Sequence, residues 1–187
     1  APEYADGTVS KKNGVTCTQC NQSVKFDYAR KEACSGRVKP KLMAILKEAS
    51  RGFEFLAPTE EHEKIAFSAK PTWVPSTDIP DKALGFRVQA YGMTKHKDVH
   101  SMRQLTALST FSDVIINTHK KIQNDAVKAG LVDDEKALRD NGDGATAYAD
   151  AIFTYLYLAL SRCVNYWSTL TPLGGSFIVQ MFNRHAL

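Results

Sequence analysis

The chain has 187 residues, 43% hydrophobic and 24% charged, which suits a folded domain and excludes a disordered tail. That length allows one core, or one core with a small satellite. No apolar run approaches the roughly 20 residues of a membrane-spanning helix. The most apolar stretch, Ala145 to Leu160, is broken by Asp150 and Thr154 and followed by Arg162.

Net charge is +4 and unevenly spread: up to Arg51 there are ten Lys/Arg against five Asp/Glu, and beyond it fourteen against fifteen. The positive excess surrounds a cysteine pair. It fits either a phosphate-bearing partner or a solvated basic face. Ala1 to Gly14 lacks the apolar middle of a secretory signal. The chain does not begin with Met, and Phe177 to Leu187 reads as an unfinished amphipathic segment. The expectation is an internal piece of a larger cytoplasmic protein, without a complete active site. Cys17, Cys20, Cys34 and Cys163 do not have disulfide-framework spacing and read as reduced thiols.

In chain order, Gly7-Thr-Val-Ser reads as a short strand and Val15 to Asn21 as a turn holding two thiols. Leu42 to Lys47 and Gly52 to Leu56 read as a hairpin turning near Ser50-Arg51-Gly52. The competing reading is a helix started by Pro40, because Leu, Met, Ala, Lys and Glu are helix formers. Pro58-Thr59-Glu60-Glu61 puts a hydroxyl cap before two carboxylates, a helix start, with Ile65, Ala66 and Ala69 as its apolar face and Lys70-Pro71 as its end. From Pro71 to His100 prolines and glycines predict irregular structure, functional or partner-wrapping, with Phe86 to Tyr91 as one short strand.

Two long helices follow. Ser101-Met-Arg-Gln104 matches a capping box, and Leu105, Leu108, Ser112, Ile115, His119, Ile122 and Ala126 recur at helical spacing up to Gly130. The second helix follows Asn141-Gly-Asp-Gly and runs to about Tyr166. Ala145, Tyr148, Ile152, Leu156, Ala159 and Cys163 form one stripe, and Phe153, Tyr157 and Leu160 another. Apolar on most sides, it is expected to be the buried centre of a bundle, Ile152 and Leu156 included. The fold class is therefore α+β: a small β-rich unit over residues 1–58, then a helical domain over 59–187 with an irregular loop at 70–100.

Cys17-Thr-Gln-Cys20 can place two thiolates on one tetrahedral zinc, but two more ligands are needed. A redox pair is the rival, although that motif opens a helix in a parallel α/β unit. The reading taken is half of a zinc ribbon, with Cys34 lacking an obvious fourth ligand beside it. The five histidines read as structural or surface groups. Leu173-Gly-Gly-Ser176 lacks the strand and glycine spacing of a nucleotide loop and reads as a helix-to-helix turn. Arg87, Gln89, Tyr91 and Arg103 could grip phosphate or stack a base, or simply anchor the loop. Any nucleic-acid contact is expected to involve Lys11, Lys12, Lys25, Arg30, Lys31, Arg37, Lys39 and Lys41, joined by Arg87 and Arg103 if the loop shares their face.

Several stretches together resemble one family, the zinc-ribbon-containing adenine-specific DNA methylases of bacteria and archaea. They are Gly7-Thr-Val, Thr16-Cys-Thr-Gln-Cys, Gly36-Arg37, Pro58-Thr-Glu-Glu-His-Glu, Leu84-Gly-Phe-Arg-Val-Gln-Ala-Tyr-Gly-Met-Thr, Arg103-Gln-Leu-Thr-Ala-Leu-Ser-Thr-Phe-Ser-Asp and Gly144-Ala-Thr-Ala-Tyr-Ala-Asp-Ala. The resemblance covers about Gly7 to Leu187. It implies a large parent that binds S-adenosylmethionine upstream and carries an Asp-Pro-Pro-Tyr motif downstream, neither present here. It also implies that Cys17 and Cys20 are the second pair of the ribbon, with Cys34 not a ligand and zinc substoichiometric or absent in this chain alone. The implied role is a non-catalytic insert that supports DNA binding and target choice, or one that braces the methylase core.

Overall fold

A computed structural model describes residues 9–10, 14–81, 87–174 and 177–181. The N-terminal unit starts with three antiparallel strands in the order β1 (Val9–Ser10), β2 (Gly14–Thr16) and β3 (Ser23–Val24). Val15 faces Val9 on one side and Val24 on the other. Gly14 has φ +97°, and a Cβ there would fall 2.0 Å from the Val24 carbonyl oxygen, so only glycine fits. Helix α1 (Phe26–Cys34) follows, an element the sequence reading did not anticipate.

The hairpin reading of the next segment holds against the helical one. Strands β4 (Ile45–Glu48) and β5 (Phe53–Leu56) pair from Ile45↔Leu56 to Glu48↔Phe53, closed by an Ala49 N–H bond to the Gly52 carbonyl of 3.0 Å. Lys47 faces Glu54 across the ladder, an opposite-charge pair that favours this register.

Helix α2 (Glu60–Phe67) begins at Thr59 as read. His62 completes the capping box: its N–H donates to Thr59 Oγ1 at 3.3 Å, and the Thr59 N–H donates to His62 Nδ1 at 3.2 Å. Ala66 is buried, but Ile65 is exposed, so the apolar face is narrower than expected.

The segment read as an irregular loop instead supplies the floor of the core. The Ile79 N–H donates to the Thr94 carbonyl at 2.8 Å, and Asp78 and Lys95 form an isolated antiparallel bridge. Ile79, Val99 and Met181 form a buried cluster with Val88, Met93 and Leu170 packed around it. Single turns of 3₁₀ helix occupy Val88–Tyr91 and His96–Val99. The strand expected over Phe86 to Tyr91 is thus corrected for 88–91, and Phe86 lies outside the described residues. Gly92, at φ +81°, ends that turn in a left-handed conformation a strand could not continue.

Helix α3 (Met102–Lys128) starts at the predicted capping box, with the Gln104 N–H on Ser101 Oγ and the Ser101 N–H on Gln104 Oε1. It packs against helix α4 (Ala145–Tyr166). Leu105, Ser109, Ser112, Ile115 and Ala126 of α3 and Ala145, Ala147 and Ala149 of α4 are buried. Small side chains dominate this contact, and polar bonds supplement it. Ser112 meets the Tyr157 hydroxyl at 3.3 Å, and His119 Nε2 meets Asp150 Oδ1 at 2.8 Å. His119 thus has a structural partner across the helix pair.

Helix α4 is not enclosed. Ile152 and Leu156 are half-buried, and Tyr155 and Leu158 are 71% and 61% exposed. The outward stripe of Tyr148, Tyr155 and Leu158 lies on the side of α4 away from the residues that bond α3. Among the described residues, this all-round apolar helix packs on α3 and on the 138–140 turn and leaves the opposite stripe exposed.

The connection from α3 to α4 is pinned by carboxylates. Asp133 Oδ1 accepts from the Thr146 N–H and hydroxyl and the Glu135 N–H, and its Oδ2 from Gln123. Asp150 Oδ2 accepts from the Leu138 N–H at 3.0 Å. Gly144 has no capping side chain, so Asp133 caps α4 from across the loop. A Cβ at Gly144 would sit 2.7 Å from the Val132 oxygen and Asp134 nitrogen.

After α4 the chain turns back onto Val99. The Val99 carbonyl accepts from Ser168 Oγ at 2.6 Å, the Thr169 N–H at 2.9 Å and Thr169 Oγ1 at 3.0 Å. Strands β6 (Leu173–Gly174) and β7 (Phe177–Ile178) then pair, which corrects the helix-to-helix turn expected there. The Val179 N–H bond to Pro172 and the Met181 N–H bond to Asn165 carry the chain into the core. No helix among the described residues is long and apolar enough to cross a membrane.

Leu105 is 3% exposed and Leu158 is 61% exposed, so Leu105→Ala should cost about 2–5 kcal/mol and Leu158→Ala close to nothing in denaturant melts. Equal costs would mean that the packed face of α3 is misassigned.

Hydrogen bonds from Thr146 and from Leu138 lead in holding the Asp133 and Asp150 carboxyls below the usual carboxylate range. Folded values below unfolded ones give stability that is full above about pH 5 and lost as pH falls through the lowered values. Thermal melts from about pH 7 to about pH 3 should therefore show a larger fall for the natural chain than for Asp133→Asn combined with Asp150→Asn. Parallel curves would exclude this role.

Candidate metal knuckle and basic surface

The two motif cysteines sit at the free end of the β2–β3 hairpin, just beyond the Thr16↔Ser23 pair. The Cys17 N–H donates to the Gln22 carbonyl and the Asn21 N–H to the Cys17 carbonyl, each at 2.9 Å. Asn21 closes the turn at φ +56°, a left-handed conformation that asparagine tolerates better than most residues. Thr18, Gln19 and Cys20 are exposed. The Cys17 thiol is held below the ordinary cysteine value, chiefly by the neighbouring backbone N–H groups of Cys20 and Gln19 and then by the Cys20 side chain.

This arrangement suits a soft metal ion. The two cysteines bracket one tight turn, Cys20 is exposed, and nearby N–H groups favour the thiolate that a metal requires. The pair lies between strands rather than at the start of a helix, unlike a thioredoxin-type redox motif. Zinc would be held by Cys17 and Cys20, and it would supply a structural crosslink rather than chemistry. Among the described residues, no group of three or more His, Cys, Asp or Glu could hold a metal ion. Cys34 closes α1, and its thiol donates to the Ala90 carbonyl at 3.4 Å. All four cysteines are free thiols.

The basic residues divide into distinct sets. Lys11 and Lys12 lie outside the described residues. Arg37 forks onto Glu32 at 2.6 and 2.8 Å, and Lys41 pairs with Glu63 at 2.8 Å, so their charge is locally compensated. Lys25, Lys31 and Lys39 are exposed, and among the described residues they form no ion pair within 4.0 Å. Arg30 bonds Asp27 at 3.0 Å, and its guanidinium lies 5.7 Å from the Tyr91 ring centroid.

The Arg30–Tyr91 contact joins the two halves of the prediction. Helix α1 packs along the 88–91 turn: Cys34 bonds Ala90, and a Cβ on Gly92 would meet the Cys34 Cα at 3.2 Å. Arg87 immediately precedes that turn and is exposed. Arg103 begins α3, and no described contact brings it to α1. Gln89 bonds the Pro80 carbonyl and serves the loop itself.

Sequence reasoning missed α1 and its pairings because Asp27, Arg30, Glu32 and Arg37 look like scattered surface charges. The Asp27–Arg30 spacing of three was the one local signal of a helix. His100, read as structural, bonds the Trp167 carbonyl, and burial pushes its ring below the usual histidine range despite that bond.

No protein-family model, curated protein or solved structure matches this chain.

The N–H donors on the Cys17 sulfur predict alkylation by iodoacetamide with a pH midpoint below that of a free cysteine. Peptide mass spectrometry across a pH series measures it. A midpoint at or above that of free cysteine would rule out the knuckle hydrogen bonds.

Proposed function

We propose that this chain is the non-catalytic insert of an S-adenosylmethionine-dependent adenine-specific DNA methyltransferase, gripping the DNA backbone beside the target. The observation that carries this reading is the packing of α1 against the 88–91 turn. It sets Arg30 over the exposed Tyr91 ring, with Lys25 just before α1 and Lys31 on it both exposed. Lys25 and Lys31, which form no ion pair among the described residues, can replace counterions on phosphates, and an aromatic ring beside an arginine offers a stacking surface. Adenine methylation requires the base to leave the duplex, and a neighbouring grip on the flanking backbone stabilises that distorted state. The cofactor and the chemistry belong to other parts of the parent. Free thiols favour a cytoplasmic setting.

A second reading has its own support. Phe53, Phe55 and Leu46 on one face of the β4–β5 hairpin are 67%, 61% and 55% exposed, and α4 presents Tyr155 and Leu158 outward. Such faces would suit a module that braces the methylase core.

Gel-shift titration of duplex DNA at two salt concentrations separates the two readings. DNA binding should weaken steeply with salt, with a slope of about −0.9 per phosphate contacted. It should be largely lost in the triple variant Lys25→Glu, Lys31→Glu and Lys39→Glu. If natural and variant chains both ignore DNA at low salt, the bracing role becomes the better account.

A further inference from the structure

We propose that Tyr91, backed by Arg30, is a stacking platform for one unpaired base of the bound DNA. This rests on the DNA-binding reading and names what that surface takes besides phosphate.

The ring is fixed by the backbone on which it stands. Residues 88–91 form a single 3₁₀ turn, closed by the Gly92 N–H on the Gln89 carbonyl at 2.9 Å. Gly92 follows at φ +81°, where a Cβ would meet the Cys34 Cα at 3.2 Å, so the turn lies tight against α1. The Cys34 thiol donates to the Ala90 carbonyl at 3.4 Å. One helical turn before Cys34, the Arg30 guanidinium lies 5.7 Å from the Tyr91 ring centroid, within cation–π range. Asp27 Oδ1 accepts from that guanidinium at 3.0 Å. The platform is assembled before any ligand arrives, which lowers the ordering cost of binding.

Tyr91 is nevertheless 36% exposed, and Arg30 keeps 45% of its side chain open to solvent. A phenol ring and a guanidinium are both planar, and both stack on bases with little regard to sequence. In a matched duplex the base faces are covered by their neighbours, and only the edges line the grooves. A ring face can therefore meet a base face only where a base is unpaired. An adenine that leaves the duplex puts its partner in that condition. Lys25 and Lys31, both exposed, supply phosphate contacts to hold the strand.

The test is gel-shift titration of three duplexes with the same phosphate count. In the first, a fluorescent purine analogue is paired with thymine. In the second it faces an abasic residue, and in the third both positions are abasic. The natural chain should bind the unpaired base about 5- to 150-fold tighter than the paired one, and stacking should quench its emission. The doubly abasic duplex should bind no tighter than the matched one. Tyr91→Ala should lose both the preference and the quenching. Tyr91→Phe should keep both, because the ring and not the hydroxyl stacks. Lys25→Glu combined with Lys31→Glu should weaken all three duplexes alike. Equal binding of paired and unpaired bases, or a preference that survives Tyr91→Ala, would overturn the proposal and leave the DNA-binding reading standing. Tight binding of the doubly abasic duplex would do the same, since the chain would then be responding to a flexible backbone. A natural chain that binds none of the three at low salt would remove both the proposal and the reading beneath it.

Discussion

Two aspartates, Asp133 and Asp150, decide how the long helices stand against each other. Asp133 collects bonds from Gln123 on α3, Thr146 on α4 and Glu135 in the connection. Asp150 links His119 on α3 to the Leu138 N–H in the same connection. The buried contact between the helices consists largely of Ser and Ala, with little apolar area to fix their register. Directional bonds to two carboxylates supply that register instead. Bonds to ionised groups are stronger than neutral ones. The capless start at Gly144 belongs to the same device, because Asp133 offers from the loop what a capping side chain would have offered in place.

A second constraint ties the ends of the helical domain together. The Val99 carbonyl takes three donors from Ser168 and Thr169, and this fixes the chain after α4 against the segment before α3. Ile79 and Met181, about a hundred residues apart in the chain, meet over Val99 as a result. From the other side, Trp73 and Thr72 reach Asp113 on α3, each at 3.2 Å. A stretch rich in proline and glycine thus becomes ordered because its side chains and amides are used by neighbours. It needs no ladder of its own.

The N-terminal unit is attached chiefly through α1 and the 88–91 turn, with Lys41 and the Leu42 N–H held by Glu63 of α2 as a second tie. These contacts are few and partly exposed. The β4–β5 hairpin is exposed along nearly its whole length, and lone two-stranded hairpins are marginal in water. A unit built in this way gains stability from anything that crosslinks it.

Wherever local chemistry was sufficient, the sequence already carried the answer. Thr59 and Ser101 mark helix starts because a hydroxyl there satisfies an N–H of the first turn, and Gly130 at φ +96° marks a stop. Apolar spacing located both long helices, and Lys47 opposite Glu54 suited the hairpin. The cysteine spacing marked a tight turn with two thiols on it. Only tertiary structure decided what depends on distant partners. Helix α4 is apolar all round, and nothing in its sequence says which side its neighbours cover; among the described residues α3 and the 138–140 turn leave the stripe of Tyr148, Tyr155 and Leu158 exposed. Of the strand expected at Phe86 to Tyr91, residues 88–91 form a 3₁₀ turn that α1 packs against, and Leu173–Gly174 pairs with Phe177–Ile178 where Val179 and Met181 bond back to Pro172 and Asn165. Arg37 and Lys41 counted as positive in the sequence, yet folding places Glu32 and Glu63 beside them. A periodic pattern reports how a segment meets an average environment, while pairing and enclosure depend on which residues the rest of the chain brings to it.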